Sequence, residues 1–321
     1  MGIKLAQPNM KKIDLNGRDF LTLADYTQDE IYYLLSMADD IKRKKKNGYV
    51  YEPLKGKTLG MIFEKSSTRT RISFEAGIYQ LGGTGLFLST NDLQLGRGEE
   101  VADTAKILSG YLDGVMIRTY SQEMVTELAE NATIPVINGL TDLYHPCQVL
   151  ADLQTIKEIK GSLENIKIAY IGDGNNMVHS LMIGAAIIGM EITVAAPAEY
   201  EPDAAEVEKA EKLAQANNGK VQVVNDPAAA VKDADVVYTD VWASMGQEAE
   251  QDKREQDFKG FQVNNDLLKL AKSDVTFMHC LPAHRGEEVT AEVIDGKHSV
   301  VFKQAENRLH AQKALMVALM E

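Results

Sequence analysis

The sequence predicts an α/β protein made of two doubly wound parallel-sheet domains joined by bridging helices. Three observations carry this. Short apolar runs alternate with helical patterns along nearly the whole chain, which implies parallel strands covered on both faces. The alternation restarts near residue 150. A length of 321 residues gives each half enough chain to bury its own core.

The elements follow in order. Thr27-Gln-Asp-Glu30 reads as a capping box opening a helix to about Lys46, with Ile31, Leu34, Leu35, Ala38 and Ile41 at helical spacing. Asn47-Gly48 stops it. Lys57–Phe63, Gly85–Leu88, Val115–Arg118 and Pro135–Asn138 read as strands. Between them Arg69–Leu81, Val101–Leu112 and Ser121–Glu130 read as helices. Pro146–Lys160 is a helix with proline in its first turn, where the missing N–H costs nothing. In the second half Lys167–Ile171, Glu191–Ala195, Val221–Val224, Val236–Thr239, Thr276–Cys280 and Val300–Phe302 are the expected strands. Helices are expected at Asn176–Gly189, from about Asp203 to Asn217, and from about Ala305 to Met320. Gly246–Lys259 is polar and without apolar periodicity, and reads as a solvated loop or a lid.

Composition narrows the partners. Lys plus Arg is 34 against 47 Asp plus Glu, a net charge of −13. That argues against a nucleic-acid partner, which needs basic surface to displace counterions, and against a polybasic membrane-surface protein. The first residues carry no apolar targeting segment, and the most apolar helical stretch, Leu181–Met190, is too short to span a bilayer. Two cysteines do not make a disulfide scaffold. A cytoplasmic protein with no membrane and no nucleic-acid partner is expected.

Four polar clusters stand at predicted strand ends, where open α/β sheets bind ligands. Ser66-Ser67-Thr68-Arg69-Thr70-Arg71 leads into a helix. Free N–H groups there favour an anion, and two arginines at that end oppose the helix dipole unless an anion such as phosphate sits with them. His145-Pro146-Cys147-Gln148 opens another helix, with His145 and Gln148 either donating to a ligand oxygen or serving as helix cap and surface amide. Asp240-Val-Trp242-Ala-Ser244-Met245-Gly246 follows a strand. Its Asp240 either holds an ammonium group or shapes a turn, and Trp242 reads as core. His279-Cys280-Leu281-Pro282 ends a strand, with Cys280 a nucleophile, a metal ligand or a packed small residue. Gly172-Asp-Gly174-Asn-Asn-Met177 approaches a dinucleotide fingerprint but has Met177 at the third glycine position. His145, Cys147, His279 and Cys280 lack the paired spacing of a zinc site, and no metal is expected.

Taken in order, Ser-Thr-Arg-Thr-Arg, His-Pro-x-Gln, Asp-x-Trp-x-Ser-Met-Gly and His-Cys-Leu-Pro resemble the aspartate/ornithine carbamoyltransferase family, the last two pointing to its ornithine branch. The resemblance covers the chain beyond about Lys12. It implies a carbamoyl phosphate domain over 1–150, an ornithine domain over 151–304, and a C-terminal helix of about 305–321 packing back on the first. It also implies a homotrimer with sites between subunits, no cofactor, and transfer of the carbamoyl group of carbamoyl phosphate to the δ-amine of L-ornithine. Carried over by motif, Ser67, Thr68, Arg69 and Thr70 bind the phosphate, with Arg71 in the same segment. Arg118 bridges phosphate and carbonyl, His145 and Gln148 hold the carbamoyl end, and Arg308 completes the site. Gln94 matches a residue reaching a neighbouring subunit's site. Asn176, Asp240, Ser244 and Met245 hold the ornithine backbone groups, and Cys280 and Leu281 meet the carbamoyl amide and the incoming amine. Thr70, Arg118, His145 and Cys280 are the expected catalytic set. The resemblance favours the lid reading of Gly246–Lys259. The alternatives are a carbamoyltransferase for another amine, such as putrescine, and an NAD-dependent dehydrogenase.

Overall fold

The computed structural model describes residues 12–95, 98–244 and 248–321. The first half runs α1 (Gln28–Lys46), β1 (Thr58–Phe63), α2 (Arg69–Gln80), β2 (Thr84–Ser89), α3 (Val101–Tyr111), β3 (Gly114–Arg118), α4 (Gln122–Asn131) and β4 (Val136–Leu140). A long helix, α5 (Pro146–Lys160), leads to the second half. There follow β5 (Lys167–Ile171), α6 (Asn176–Ile188), β6 (Glu191–Ala195), α7 (Ala204–Ala216), β7 (Lys220–Val224), α8 (Pro227–Val231) and β8 (Val236–Thr239). The chain closes with α9 (Gln251–Asp257), α10 (Asn265–Leu268), β9 (Thr276–His279), α11 (Ala291–Ile294) and α12 (Val301–Met320).

All strand pairs are parallel. The four-stranded sheet has the order β2-β1-β3-β4 and the five-stranded sheet β7-β6-β5-β8-β9. In each the winding reverses once, between β1 and β3 and between β5 and β8. Such reversals leave a crevice at the carboxyl ends of the strands. Both crevices are therefore fixed by topology before any side chain is considered.

Packing follows the strand period of two. Ile168 and Tyr170 face a core shared with α5, α6 and α12, whereas Ala169 and Ile171 face a separate cluster with Val231, Phe258 and Phe277. Leu59, Met61 and Phe63 of β1 join the same shared core, and Ile62 faces Ala105, Val125 and Leu128 of α3 and α4. One apolar core thus touches the inner faces of both sheets. α6 is buried from Met177 to Ile188 and apolar apart from His179 and Ser180, which are hydrogen-bonded, as suits a helix enclosed on every side. α12 lies against α1, α2 and α5. Among the described residues no helix is long and apolar enough to cross a membrane.

The predicted capping box at Thr27 and Glu30 is formed. Two expectations need correction. Val300–Phe302 is not a strand: α12 begins at Val301, and the neighbouring segment makes only an isolated bridge, Phe277 to Ser299. Three apolar residues at a helix start mimic a short buried strand, and periodicity does not separate the two. The run Gly246–Lys259 contains α9, which periodicity misses because the side chain it buries is Arg254 rather than an apolar one.

Candidate active site

The carboxyl ends of both sheets open on one cleft of about 920 Å³. β1 ends at Phe63, and the following segment brings Lys65, Ser67 and Thr68 to the start of α2. Arg69 and Thr70 lie in the first turn of α2, and Arg118 is the last residue of β3. From the second sheet, Asn175 follows β5, Asp240 follows β8, and Cys280 and Leu281 follow β9. Arg308 comes from α12.

One end of the cleft is cationic. Thr70 Oγ1 accepts from Arg308 Nη2 at 3.1 Å and from Arg118 Nη1 at 3.4 Å. Both acceptor positions of that hydroxyl are thus occupied by guanidiniums, so its own proton is free for a third partner. The Thr70 backbone N–H donates to Ser67 Oγ at 3.1 Å. Arg308 Nη1 also donates to Gln148 Oε1 at 2.5 Å, and Arg69 Nη2 to the Leu281 carbonyl at 2.6 Å. Burial, then the neighbouring Arg308 and Arg69, pull Arg118 down to about 10. Three buried or half-buried guanidiniums that repel one another call for an anion between them.

His145 stands at the start of α5, but its side chain does not cap the helix. Its backbone N–H donates to Ser180 Oγ at 2.8 Å, and its Nδ1 is buried without a protein partner. Burial, followed by Arg308, Arg118 and Arg69, holds it well below its ordinary range, so it is a neutral imidazole at pH 7. Arg118 Nε is likewise buried without a partner. Both residues line the cleft, where a ligand can supply the partner a buried polar atom needs.

The other end is acidic. Asp240 accepts from Cys280 Sγ at 2.9 Å, from the Val241 N–H at 2.8 Å and from Asn175 Nδ2 at 3.0 Å. Asn176 Nδ2 donates to the Thr141 carbonyl at 2.6 Å, and Ser244 lines the same end. Asp173 is buried and pushed up to about 6 by that burial, opposed by Arg254, whose Nη1 lies 3.0 Å from it. Arg254 also donates to the Trp242 carbonyl at 2.6 Å, which docks α9 beside the cleft. Trp242 itself stacks on Phe258 in the core.

Cys280 is not set up as a nucleophile. Burial and the Asp240 carboxylate push its thiol well above the ordinary range, and reactive cysteines need the opposite. Asp240, His279 and Cys280 put possible metal ligands within 4.8 Å of one another, as do His284, Glu287 and Glu288. In the first group, however, His279 Nε2 already faces Glu288 at 3.1 Å and its Nδ1 accepts from the Leu281 N–H at 2.9 Å. Cys147 is buried away from these groups, with Sγ on the Asn138 carbonyl at 3.3 Å.

One expected residue lies elsewhere, one is placed outside this cleft as its expected role implies, and one falls outside the described residues. Arg71 is exposed, 3.4 Å from Glu75 and 3.8 Å from the centre of the Phe87 ring, so it does not join Arg69 in the cleft. Residues two apart on a helix face nearly opposite ways, which the run of arginines in the sequence conceals. Gln94 is exposed and does not line this cleft, which is compatible with a residue expected to reach a neighbouring subunit's site. Met245 lies outside the described residues. The sequence reading missed Lys65, which is buried with its Nζ on Asp142, and the Asp173–Arg254 pair. A lysine directly before the hydroxyl-rich run was the signal for the first. The dinucleotide alternative loses its support here. Asn175 Oδ1 accepts the Met177 N–H at 2.9 Å and the Val178 N–H at 3.4 Å, amides a pyrophosphate would need. A Cβ on Gly174 would meet the Glu201 carbonyl carbon at 2.3 Å, so packing explains that glycine.

Two family models match the chain: "Aspartate/ornithine carbamoyltransferase, carbamoyl-P binding domain" over residues 18–158 and "Aspartate/ornithine carbamoyltransferase, Asp/Orn binding domain" over 164–319. The chain belongs to the aspartate/ornithine carbamoyltransferase family. Within that family it is 68% identical to the ornithine carbamoyltransferase of Oceanobacillus iheyensis, across 97% of both chains. It is 60% identical to that of Bacillus subtilis across 95% of both. The ornithine carbamoyltransferase structure from Pyrococcus furiosus superposes with a TM-score of 0.94 at 55% identity, covering 96% of this chain and 99% of that one. An anabolic ornithine carbamoyltransferase structure from Campylobacter jejuni gives 0.87 at 45%, covering 93% and 97%.

Proposed function

We propose that the protein transfers the carbamoyl group of carbamoyl phosphate to the δ-amine of L-ornithine, giving L-citrulline and phosphate. One observation carries this beyond the family: a three-arginine anion site and a carboxylate site face each other in one cleft. Arg69, Arg118 and Arg308 take the phosphate with Ser67, Thr68 and Thr70. Asp240 takes the α-ammonium of ornithine, with Asn176 and Ser244 beside it. The naming of relatives as anabolic supports the arginine-biosynthetic direction.

The chemistry needs little beyond alignment and charge. The δ-amine attacks the carbonyl carbon, a tetrahedral intermediate forms, the C–O bond to phosphate breaks, and the amine's proton leaves with the phosphate. The attacking amine must be neutral, and alkylammonium groups have a reference pKa of about 10.4. The guanidiniums disfavour a charged δ-nitrogen near them, while Asp240 favours charge at the far end of the substrate. The free proton of Thr70, Arg118 and the neutral His145 are the donors for the developing oxyanion, each worth about 2.7–4 kcal/mol. Gln148 offers its oxygen toward the carbamoyl end, since that atom already accepts from Arg308. Cys280 and the Leu281 carbonyl position the carbamoyl amide. No covalent enzyme intermediate is required.

We further infer a division into residues 1–150 for carbamoyl phosphate and 151–304 for ornithine, with 305–321 returning to the first part. The packing of α12 on α1, α2 and α5 supports this. A cytoplasmic homotrimer fits as well. Both cysteines are unpaired. The edge strand β2 exposes Leu86 and Phe87 beside Ile72 and Tyr79 of α2, an apolar edge that a second copy would cover.

The test is citrulline-type product formation from carbamoyl phosphate with ornithine, putrescine and N-acetylornithine compared side by side. Ornithine is expected to dominate. Preference for putrescine, which has no α-carboxylate or α-ammonium, would overturn the Asp240 assignment.

A further inference from the structure

Behind the cleft lies a carboxylate that the mechanism above does not use. Asp152, one turn beyond Gln148 on α5, is fully buried. Its Oδ1 accepts from Gln148 Nε2 and from Gln304 Nε2, both at 2.8 Å. Its Oδ2 accepts from the Tyr238 hydroxyl at 3.0 Å, which also accepts from Gln304 Nε2 at 3.0 Å. Among the described residues it has no ion-pair partner. Burial pushes it up to about 6, and the bonds from Gln148, Gln304 and Tyr238 pull it back. A buried carboxylate with no salt bridge is costly, and such a group calls for a reason other than stability.

The two amides supply that reason. A carboxylate only accepts hydrogen bonds, so both Gln148 and Gln304 must turn their NH2 groups toward it. The Gln148 oxygen is thereby aimed at Arg308 and the cleft. The Gln304 oxygen is aimed at the backbone N–H of His279, which it accepts at 3.0 Å. His279 immediately precedes Cys280 and Leu281. Tyr238 lies two residues before Asp240 on β8. A single carboxylate therefore ties α5, α12, β8 and β9 together directly behind the carbamoyl end of the site. Without it, Gln148 could rotate its amide and present NH2 to Arg308 and to the carbamoyl NH2, donor against donor.

We propose that Asp152 is a positioning residue chiefly for the carbamoyl end of the substrate, acting through the Gln148 and Gln304 amides and reaching the phosphate end only through the Gln148 contact with Arg308. The inference rests on the carbamoyl transfer proposed above, and its test separates the two. Affinities of the full-length protein for inorganic phosphate and for phosphonoacetamide, a stable carbamoyl phosphate mimic, are measured by calorimetry. They are compared between the parent, Asp152→Leu and Asp152→Asn, alongside kcat and the KM for carbamoyl phosphate.

Asp152→Leu is expected to weaken phosphonoacetamide by about tenfold to a hundredfold, and phosphate, which meets this chain of contacts only at Arg308, at least about fivefold less than that. Asp152→Asn keeps one accepting oxygen and should recover most of that loss in affinity and in the KM. If Asp152→Leu does not fold, Gln304→Met cuts the arm to His279 and should show the same selective loss. Equal weakening of both ligands means a merely structural role and overturns the proposal, as does unchanged binding of both. A parent that binds both ligands but carbamoylates none of the three amines defeats the functional reading alone, because the binding comparison still decides the role of Asp152.

Discussion

The two ends of the cleft are built on opposite principles. The phosphate end gathers cations from three separate elements, α2, β3 and α12; Arg118 and Arg308 lock on one hydroxyl, Thr70, and Arg69 on the Leu281 carbonyl. It is held ready by buried side chains at strand and helix ends. The ornithine end gathers carboxylates, and its cation, Arg254, is spent on Asp173 and on the Trp242 carbonyl. Its groups hang on segments that follow strands β5 and β8. The difference accounts for how a protein of net charge −13 takes a dianionic substrate: the local field of the cleft decides, and the total does not. It also separates the two substrates by sign, leaving the δ-amine at the boundary where it can be neutral.

Substitutions should respect this boundary. Arg118→Ala has the largest expected effect, about a thousandfold loss in kcat/KM, because it removes both a phosphate contact and an oxyanion donor. Steady-state citrulline assays check it, and a loss below tenfold would break the assignment of the cationic end. Asp240→Asn should raise the KM for ornithine about tenfold to a hundredfold while leaving carbamoyl phosphate affinity unchanged, as expected for one charge-assisted contact. A matching loss for carbamoyl phosphate would erase the division of the cleft. Cys280→Ser is milder, below about tenfold in kcat, since a hydroxyl can still donate to Asp240. Complete loss in a folded variant would revive a covalent role.

The smallest effect is on stability. Asp152 and Asp173 are each pushed up to about 6 by burial, from 3.8. The folded chain therefore holds protons that the unfolded chain has released between those values, and both groups destabilise the fold as pH rises through that window. Asp152→Asn removes its share. The Tm of the variant minus that of the parent should grow by a few degrees from about pH 4 to pH 7 and then level off. A difference that stays flat would mean Asp152 is not ionising there.

How much of this the sequence disclosed depends on where each residue's partners lie. The phosphate end was legible because Ser67, Thr68, Arg69 and Thr70 are contiguous and chemically dense. Helices with local end signals, the Thr27 capping box of α1 and the first-turn Pro146 of α5, were legible to within a residue or two. Arg71 misled, since adjacency in sequence is not adjacency on a helix surface. Arg254 and Asp173 were invisible because each looks like an ordinary surface charge until folding places them 3.0 Å apart. Asp152 was read as one more position of a helix. Its partner Gln304 lies 152 residues away, and no local pattern marks such a pair.

The position of Arg308 has a consequence for the order of events during synthesis. Thr70 meets it across 238 positions of chain. As the protein leaves the ribosome, the first sheet and the arginines Arg69 and Arg118 appear early, but the anion site is incomplete and the faces of α1, α2 and α5 that α12 covers are bare. The nascent first half therefore lacks one of the three guanidiniums through which carbamoyl phosphate would stabilise it. Until α12 arrives, that apolar face is open to chaperones and to neighbouring nascent chains, so a helix made after both sheets closes the core and completes the site.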